Sequence, residues 1–248
     1  MKFDKATSAP EHHVASSSPA GDVMVRYAHL EGAELLDTMI NEAFPGRIAV
    51  SSSFGTESAV LLHLVSQVAP ETPVLFLNTG LLFAQTEQYQ RSLQKQLGLK
   101  DVRIIGPDPD HLEQYDPKSK LHKSDTDMCC HLRKVLPLQH ALGSFDAWIT
   151  GRKRFQGSAR SELPFIEHDG SHYKINPIAN WSPQELKDTF VAHNLPHHPL
   201  EEAGYTSLGC YPCTNLPVLG SDARSGRWVD QNKTECGIHN APWAGDSI

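Results

Sequence analysis

The chain has five cysteines, and their spacing is uneven. Cys129 and Cys130 are adjacent in "MCCHLR", Cys210 and Cys213 flank two residues in "LGCYPCT", and Cys236 stands alone in "KTECGIH". Four thiolates in two tight pairs suit either zinc or an iron–sulfur cluster. Adjacent cysteines crowd a small tetrahedral zinc site, whereas a larger cluster offers separate irons to neighbouring ligands, so the cluster is the stronger reading. Two such pairs are poorly explained as metal-free core residues. Cys236 differs from the other four. It lies in a polar stretch with glycine after it and no aliphatic run to cover it, unlike an ordinary buried cysteine. An unpaired, exposed thiol points to nucleophilic chemistry, with the thiolate as the reactive form. Lys233 and His239 would favour that thiolate if the fold brings them close.

A second set of residues suits an anion. "SSSFGTES" contains Ser51, Ser52, Ser53, Phe54 and Gly55 and falls where a strand gives way to a helix. Small residues allow close backbone approach, and the turn's N–H groups favour negative charge. No Gly-Lys-Ser/Thr follows, so this is not a Walker A loop. Leu77, Asn78, Thr79 and Gly80 end the next apolar run. Arg152, Lys153, Arg154 and Arg160 crowd one loop with Gln156, and Arg224 and Arg227 another. Arginine forks match phosphate and sulfate oxygens, although any one of these residues is about as well explained as solvated surface. Lys134 follows Cys130 by four residues, which on an α-helix places it near the same face. Trp181 is read as packing rather than as a stacking platform.

These groups need a scaffold that gathers strand ends. Apolar positions recur at helical spacing over 33–44, and "RIAVSSS" then reads as a strand followed by the helix "ESAVLLHLVSQVA". "TPVLFLNTG" is a nearly continuous apolar run, as expected for a strand buried on both faces of a parallel sheet. "AQTEQYQRSLQKQLGL" reads as helix and "VRIIGP" as strand. A polar connection leads to the helix "DMCCHLRKVLPLQHAL", interrupted at Pro137. "DAWITG" and "HYKINPI" read as further strands. Ser182 and Pro183 mark a helix start in "WSPQELKDTFVAHN". The alternation predicts an α/β fold: a single domain with a mostly parallel central sheet flanked by helices. Ligands of such sheets bind beyond the carboxyl ends of the strands.

The chain is 248 residues long, 39% hydrophobic and carries a formal net charge of -7. That charge argues against an extended nucleic-acid surface. No run approaches the roughly 20 apolar residues of a membrane span. Residues 1–25 are polar and rich in Ser, Ala, Pro and His, without the apolar core of a secretory signal, and are expected to form a disordered leader. The expected division is this leader, a domain over 26–228, and a mobile C-terminal tail over 229–248 that carries Cys236. A cytoplasmic location fits, since closely spaced cysteines in a reducing compartment more often bind metal than form disulfides.

The ordered set "SFGTES", "LNTG", "GRKRFQ", "CC", "CYPC" and "ECGIH" resembles the bacterial assimilatory adenylyl-sulfate reductases, which carry a PP-loop on an adenine nucleotide α-hydrolase-like fold. The likeness extends over about 33–239. It implies reduction of adenylyl sulfate to sulfite and AMP through an S-sulfocysteine on Cys236, with thioredoxin or glutaredoxin as reductant. It also implies a four-iron four-sulfur cluster on Cys129, Cys130, Cys210 and Cys213, with Lys134, Arg224 and Arg227 at the substrate. The serine-rich loop, "LNTG", Arg152, Gln156, Arg160 and His239 are expected to line the same site. Asn78 departs from the Asp usual in the family. Reduction of the 3′-phosphorylated nucleotide, or of both nucleotides, is the nearest alternative. A PP-loop thiolase acting on RNA is disfavoured by the acidic charge, and a non-catalytic iron–sulfur sensor leaves Cys236 without a use. The oligomeric state, a homo-oligomer included, is left open.

Overall fold

The computed structural model describes residues 19–157, 160–218, 220–229, 231 and 233–239. Six strands form one sheet in the order β3-β2-β1-β4-β6-β5: β1 Ile48–Ser52, β2 Val74–Leu77, β3 Val102–Ile105, β4 Ala147–Ile149, β5 Ile166–His168 and β6 Tyr173–Ile175. All neighbours pair in parallel except β5 with β6, which are antiparallel. The apolar runs belong to strands buried on both faces, and their alternation shows it. Ile48 and Val50 of β1, Val74 and Phe76 of β2, and Ala147 and Ile149 of β4 enter the larger core. Ala49, Leu75, Leu77 and Trp148, one residue out of phase, enter a second core on the opposite face.

The helices are α1 Pro19–Arg26, α2 Gly32–Asp37, α3 Ser58–Val68, α4 Ala84–Leu97, α5 Pro109–Tyr115, α6 Leu121–Ser124, α7 Thr126–Cys130, α8 Leu136–Leu142 and α9 Pro183–Ala192. Leu35 and Leu36 of α2, Val60 and Leu62 of α3, Tyr89 and Leu93 of α4, and Leu186 and Phe190 of α9 cover the larger core. Leu138 and Leu142 of α8 cover the smaller one. Ser182 caps α9 as expected, its hydroxyl accepting from the Glu185 amide while Glu185 returns the bond.

The structure departs from the sequence reading in several places. The helix expected over 33–44 is α2 followed by a π-helical turn, Thr38–Ala43. The last residues of the segment read as a disordered leader form α1; residues 1–18 lie outside the described residues, as do 240–248 of the tail. The polar connection contains α5, whose N-cap Asp108 accepts from the amides of Asp110 and His111. It was hidden because none of its residues is buried, so no apolar periodicity marks it. Strand β5 was missed for a related reason: it is an edge strand of three residues, turned back on β6 through Asp169–His172. The helix expected around the cysteine pair changes register through a π-helical stretch, His131–Val135, before α8 begins with Pro137 in its first turn.

Candidate functional site

A cavity of about 220 Å3 opens beyond the carboxyl ends of β1, β2 and β4, where the strand order reverses around β1. Ser51, Ser52, Ser53 and Gly55 line it, together with Thr56 and Glu57 at the start of α3. Phe54 does not. Its side chain is fully buried and packs edge-on against Phe76 with ring centroids 5.0 Å apart. Its φ of 48° is unusual for a bulky residue, and its amide donates to Ser52 Oγ at 3.1 Å. The buried ring thus pins a strained turn whose flanking serines and glycine face the cavity. Leu77 and Thr79 also line it, whereas Asn78 and Gly80 do not. Asn78 donates to Glu87 Oε1 at 3.1 Å and accepts from the Gly80 amide at 3.0 Å. It closes the turn by a bond that needs an amide as donor, so the family's usual Asp would have to meet Glu87 differently.

Cys129, Cys130, Cys210 and Cys213 are all buried. The first two end α7. The others enter through a bridge from Cys210 to Leu82 and a 3-10 turn, Tyr211–Cys213. Thr79 Oγ1 lies 3.2 Å from Cys210 Sγ. Burial pushes the Cys129 thiol up to about 12, with further upward pressure from Cys130, Cys210 and Cys213 and relief from Arg133. Burial likewise raises Cys130 and Cys213. The four thiols therefore act on one another electrostatically. No three His, Cys, Asp or Glu side chains among the described residues converge as a single-ion site. Beside them Arg133 is fixed by Asp116 at 2.8 Å and by the Thr79 carbonyl at 2.9 Å, which ties the "LNTG" turn to the cysteine helix. The π-turn carries Lys134 to the cavity. It makes no hydrogen bond or ion pair among the described residues. Burial opposes its charge, but Cys210, Cys236 and Cys130 outweigh that and raise its pKa.

Arg152, Lys153, Gln156, Arg160, Arg224 and Arg227 all reach the cavity. Arg152 pairs with Glu167 and donates to Thr150 Oγ1 and Asn176 Oδ1. Lys153 pairs with Glu57 at 2.7 Å, and Gln156 joins Glu57 to Arg160 through bonds of 2.6 Å on each side. Arg227 donates to the carbonyls of Leu208 at 2.9 Å and Cys213 at 3.3 Å and lies 4.5 Å from the centroid of the Trp228 ring. Arg154 turns away, donating to the Leu163 carbonyl over the Phe165 ring. Trp181 packs on the larger core, as expected.

Residues 233–239 lie against this cavity. Cys236 is half-buried in its lining rather than exposed. Glu235 accepts from Arg160 at 2.6 and 2.7 Å. Ile238 packs on the smaller core. The His239 ring stacks on Trp148 with centroids 5.3 Å apart and planes 1° from parallel, and its carbonyl accepts from Lys174 Nζ at 3.3 Å.

Residues 47–216 match the phosphoadenosine phosphosulfate reductase domain family. The chain belongs to this family. Relatives named adenosine 5′-phosphosulfate reductase include one from Mesorhizobium japonicum, 46% identical over 86% of this chain and 84% of the relative. Another, from Mycolicibacterium smegmatis, is 38% identical over 84% and 88%. Among solved structures, the phosphoadenylyl-sulfate reductase of Candida auris in a phosphate complex superposes with a TM-score of 0.64 at 26% identity, covering 79% of this chain and 97% of that one. The chain is an oxidoreductase of the sulfonucleotide reductase type.

In this reductase neither Lys233 nor His239 is placed to assist the Cys236 thiolate as a free cation. Lys233 pairs with Asp127 of α7. Burial, then the charges of Arg152 and Arg160, pushes His239 well below the usual histidine range and keeps it neutral. Lys134, Arg224 and Arg227 line the same cavity as Cys236. Sequence reasoning missed Glu57 and Glu235 in the cavity lining, and Trp148 and Lys174, which hold His239 beside it. The carboxylates have the wrong sign for an anion pocket. Trp148 and Lys174 lie on strands whose spacing announces only burial.

Proposed function

We propose that the enzyme takes adenosine 5′-phosphosulfate, with Cys236 as nucleophile, and releases AMP and sulfite. The observation that carries this reading is that Cys236, Lys134 and Arg227 line the same cavity as the Ser51–Ser53 strand end and loop. The names of the relatives support the substrate. The Cys236 thiolate attacks the sulfonate sulfur. An S–S bond forms, the sulfur–oxygen bond to the phosphate breaks, and AMP leaves with the electron pair. Lys134, Arg224 and Arg227 offset the negative charge of the phosphosulfate and of the thiolate. A thiolate of reduced thioredoxin or glutaredoxin then attacks Cys236 Sγ. Sulfite departs with the bonding electrons, and the donor's second thiol resolves the mixed disulfide, so the donor dithiol is oxidised by two electrons. With Cys129, Cys130, Cys210 and Cys213 held as metal ligands, the chain offers Cys236 no second thiol, so the reducing equivalents come from outside. The tail must open for that partner to reach Cys236. Free thiols suit a cytoplasmic setting, and no helix among the described residues is long and apolar enough to cross a membrane.

Cys129, Cys130, Cys210 and Cys213 fit a four-iron four-sulfur cluster. Buried thiols that raise one another's pKa are relieved when a metal takes them as thiolates, and a cubane asks its ligands for more room than a single ion does. When bound, the cluster supplies a fixed charge distribution next to the cavity. Lys134 is the side chain between that region and the substrate's sulfate.

Incubating pure enzyme with adenosine 5′-phosphosulfate and no reductant should add one SO3 group to the peptide holding Cys236. Reduced thioredoxin should remove it as sulfite. An adduct elsewhere, or sulfite formation at a normal rate by Cys236→Ser, would refute the assignment. Steady-state rates with the 3′-phosphorylated nucleotide separate the nearest alternative.

A further inference from the structure

The Glu235 carboxylate lies on the cations that an oxyanion would use. Arg160 donates through Nε and Nη2 to both of its oxygens, at 2.6 and 2.7 Å, the paired geometry in which arginine also binds phosphate and sulfate. Arg224 Nη2 donates to the Thr234 carbonyl at 2.9 Å and comes within 3.4 Å of Glu235 Oε2. The pair is largely removed from water, with 10% and 18% of the Arg160 and Glu235 side chains exposed. Three other cavity cations are held by fixed parts of the domain, Lys153 by Glu57, Arg152 by Glu167 and Arg227 by backbone carbonyls, and Lys134 has no hydrogen-bond or ion-pair partner among the described residues. Arg160 is held by Gln156 and by the tail. The residue that follows Glu235 is Cys236. On the far side of Cys236 the tail is anchored separately, by Ile238 in the smaller core and by His239 on Trp148 and Lys174.

We propose that Glu235 is a positioning residue that acts as an internal anion: it occupies the Arg160–Arg224 site in the ligand-free enzyme and is displaced by a phosphate or sulfate group of the substrate. Displacement frees Thr234 and Glu235, between the Lys233–Asp127 pair and the anchors after Cys236, so that the thiol turns about Gly237, whose φ of 87° suits a pivot. Occupation of the site and freedom of the thiol are thereby linked. The proposal rests on reading this cavity as the anion site of the proposed function.

The test uses the full-length holoenzyme, inorganic sulfate as the probe, and the rate at which iodoacetamide alkylates Cys236, read by mass spectrometry of its peptide. In the wild type, sulfate should accelerate alkylation several-fold. Glu235→Gln should alkylate several-fold faster without sulfate, gain little from adding it, and bind sulfate several-fold more tightly by calorimetry. Glu235→Asp, which keeps the charge, should return both properties toward wild type. Sulfate binding that is unchanged or weaker in Glu235→Gln, or alkylation that ignores both the substitution and sulfate, overturns the proposal and leaves the cavity assignment standing. Failure of every form to bind sulfate overturns both.

Discussion

A methyl group on Gly209 would sit 2.2 Å from Nη2 of Arg227 and 2.6 Å from its guanidinium carbon. The arginine lies on the glycine's bare backbone, one residue before Cys210, and from there reaches the carbonyls of Leu208 and Cys213. Trp228, held at a φ of 51°, covers the other side. The absence of one side chain in the cysteine loop thus decides where a cavity-lining cation rests.

Gly209→Ala should therefore behave like a loss of Arg227. A displaced charge-assisted contact in a partly desolvated site costs roughly 1.5 to 3 kcal/mol, or about 10- to 100-fold in affinity. Nucleotide binding should weaken by that factor in Gly209→Ala and in Arg227→Ala alike. Adding the second change to the first should cost little more, because both remove the same interaction. Additive losses would show that Gly209 acts on the loop by another route.

Lys134 gives a separate test of the cavity's charge. It lines the cavity without a hydrogen-bond or ion-pair partner among the described residues, so its removal leaves no described carboxylate stranded. Lys134→Met should lower kcat/KM by about 10- to 100-fold at one lost charge-assisted contact while the melting temperature holds or rises. A variant with unchanged kinetics would remove Lys134 from the mechanism.

The metal assignment is checked by iron content and colour. Protein purified without oxygen should be brown, with about four irons per chain if the four thiolates hold one cubane. Cys129→Ser or Cys213→Ser should lose iron and colour, whereas Cys236→Ser should keep both and still bind nucleotide. Colourless active protein with stoichiometric zinc would overturn the cluster.

A pH effect is expected away from the cavity. His198 is fully buried; its Nδ1 accepts from the Leu200 amide at 3.1 Å, so Nε2 carries the proton toward Thr86 Oγ1 at 3.0 Å. Burial lowers its pKa from 6.5 to about 4 despite the nearby Glu201 carboxylate. The folded state prefers the neutral ring, so this contribution is complete above about pH 6.5 and is lost as the pH falls toward 4. The loss amounts to as much as about 3 kcal/mol. Melting temperature should fall over that interval in the wild type and fall less steeply in His198→Asn, which has no group titrating there. Equal slopes would assign the acid sensitivity elsewhere.

Much of the architecture was legible because it follows from local pattern. Apolar runs such as "TPVLFLNTG" announced strands buried on both faces, and Ser182-Pro183 announced α9. Five parallel strands and a cavity at their carboxyl ends followed from that alternation. So did the grouping of the cysteines, whose adjacency and two-residue gap are properties of the chain itself. Lys134 lines the cavity, but a π-turn rather than the α-helical spacing of the sequence reading carries it there.

What the sequence by itself determined is the inventory: a PP-loop, two cysteine pairs, two basic loops and a lone thiol, in an order that names a chemistry. The tertiary structure decided which members share a space. Phe54 and Asn78 belong to the motifs yet turn away from the cavity, because one ring found a core and one amide found Glu87. Glu235, whose charge argued against a role in an anion site, meets Arg160 across 75 positions of sequence. Spacing along a chain encodes contacts within a helix or strand. A contact between a tail and a distant loop depends on how the sheet brings their ends together, and no local period carries that information.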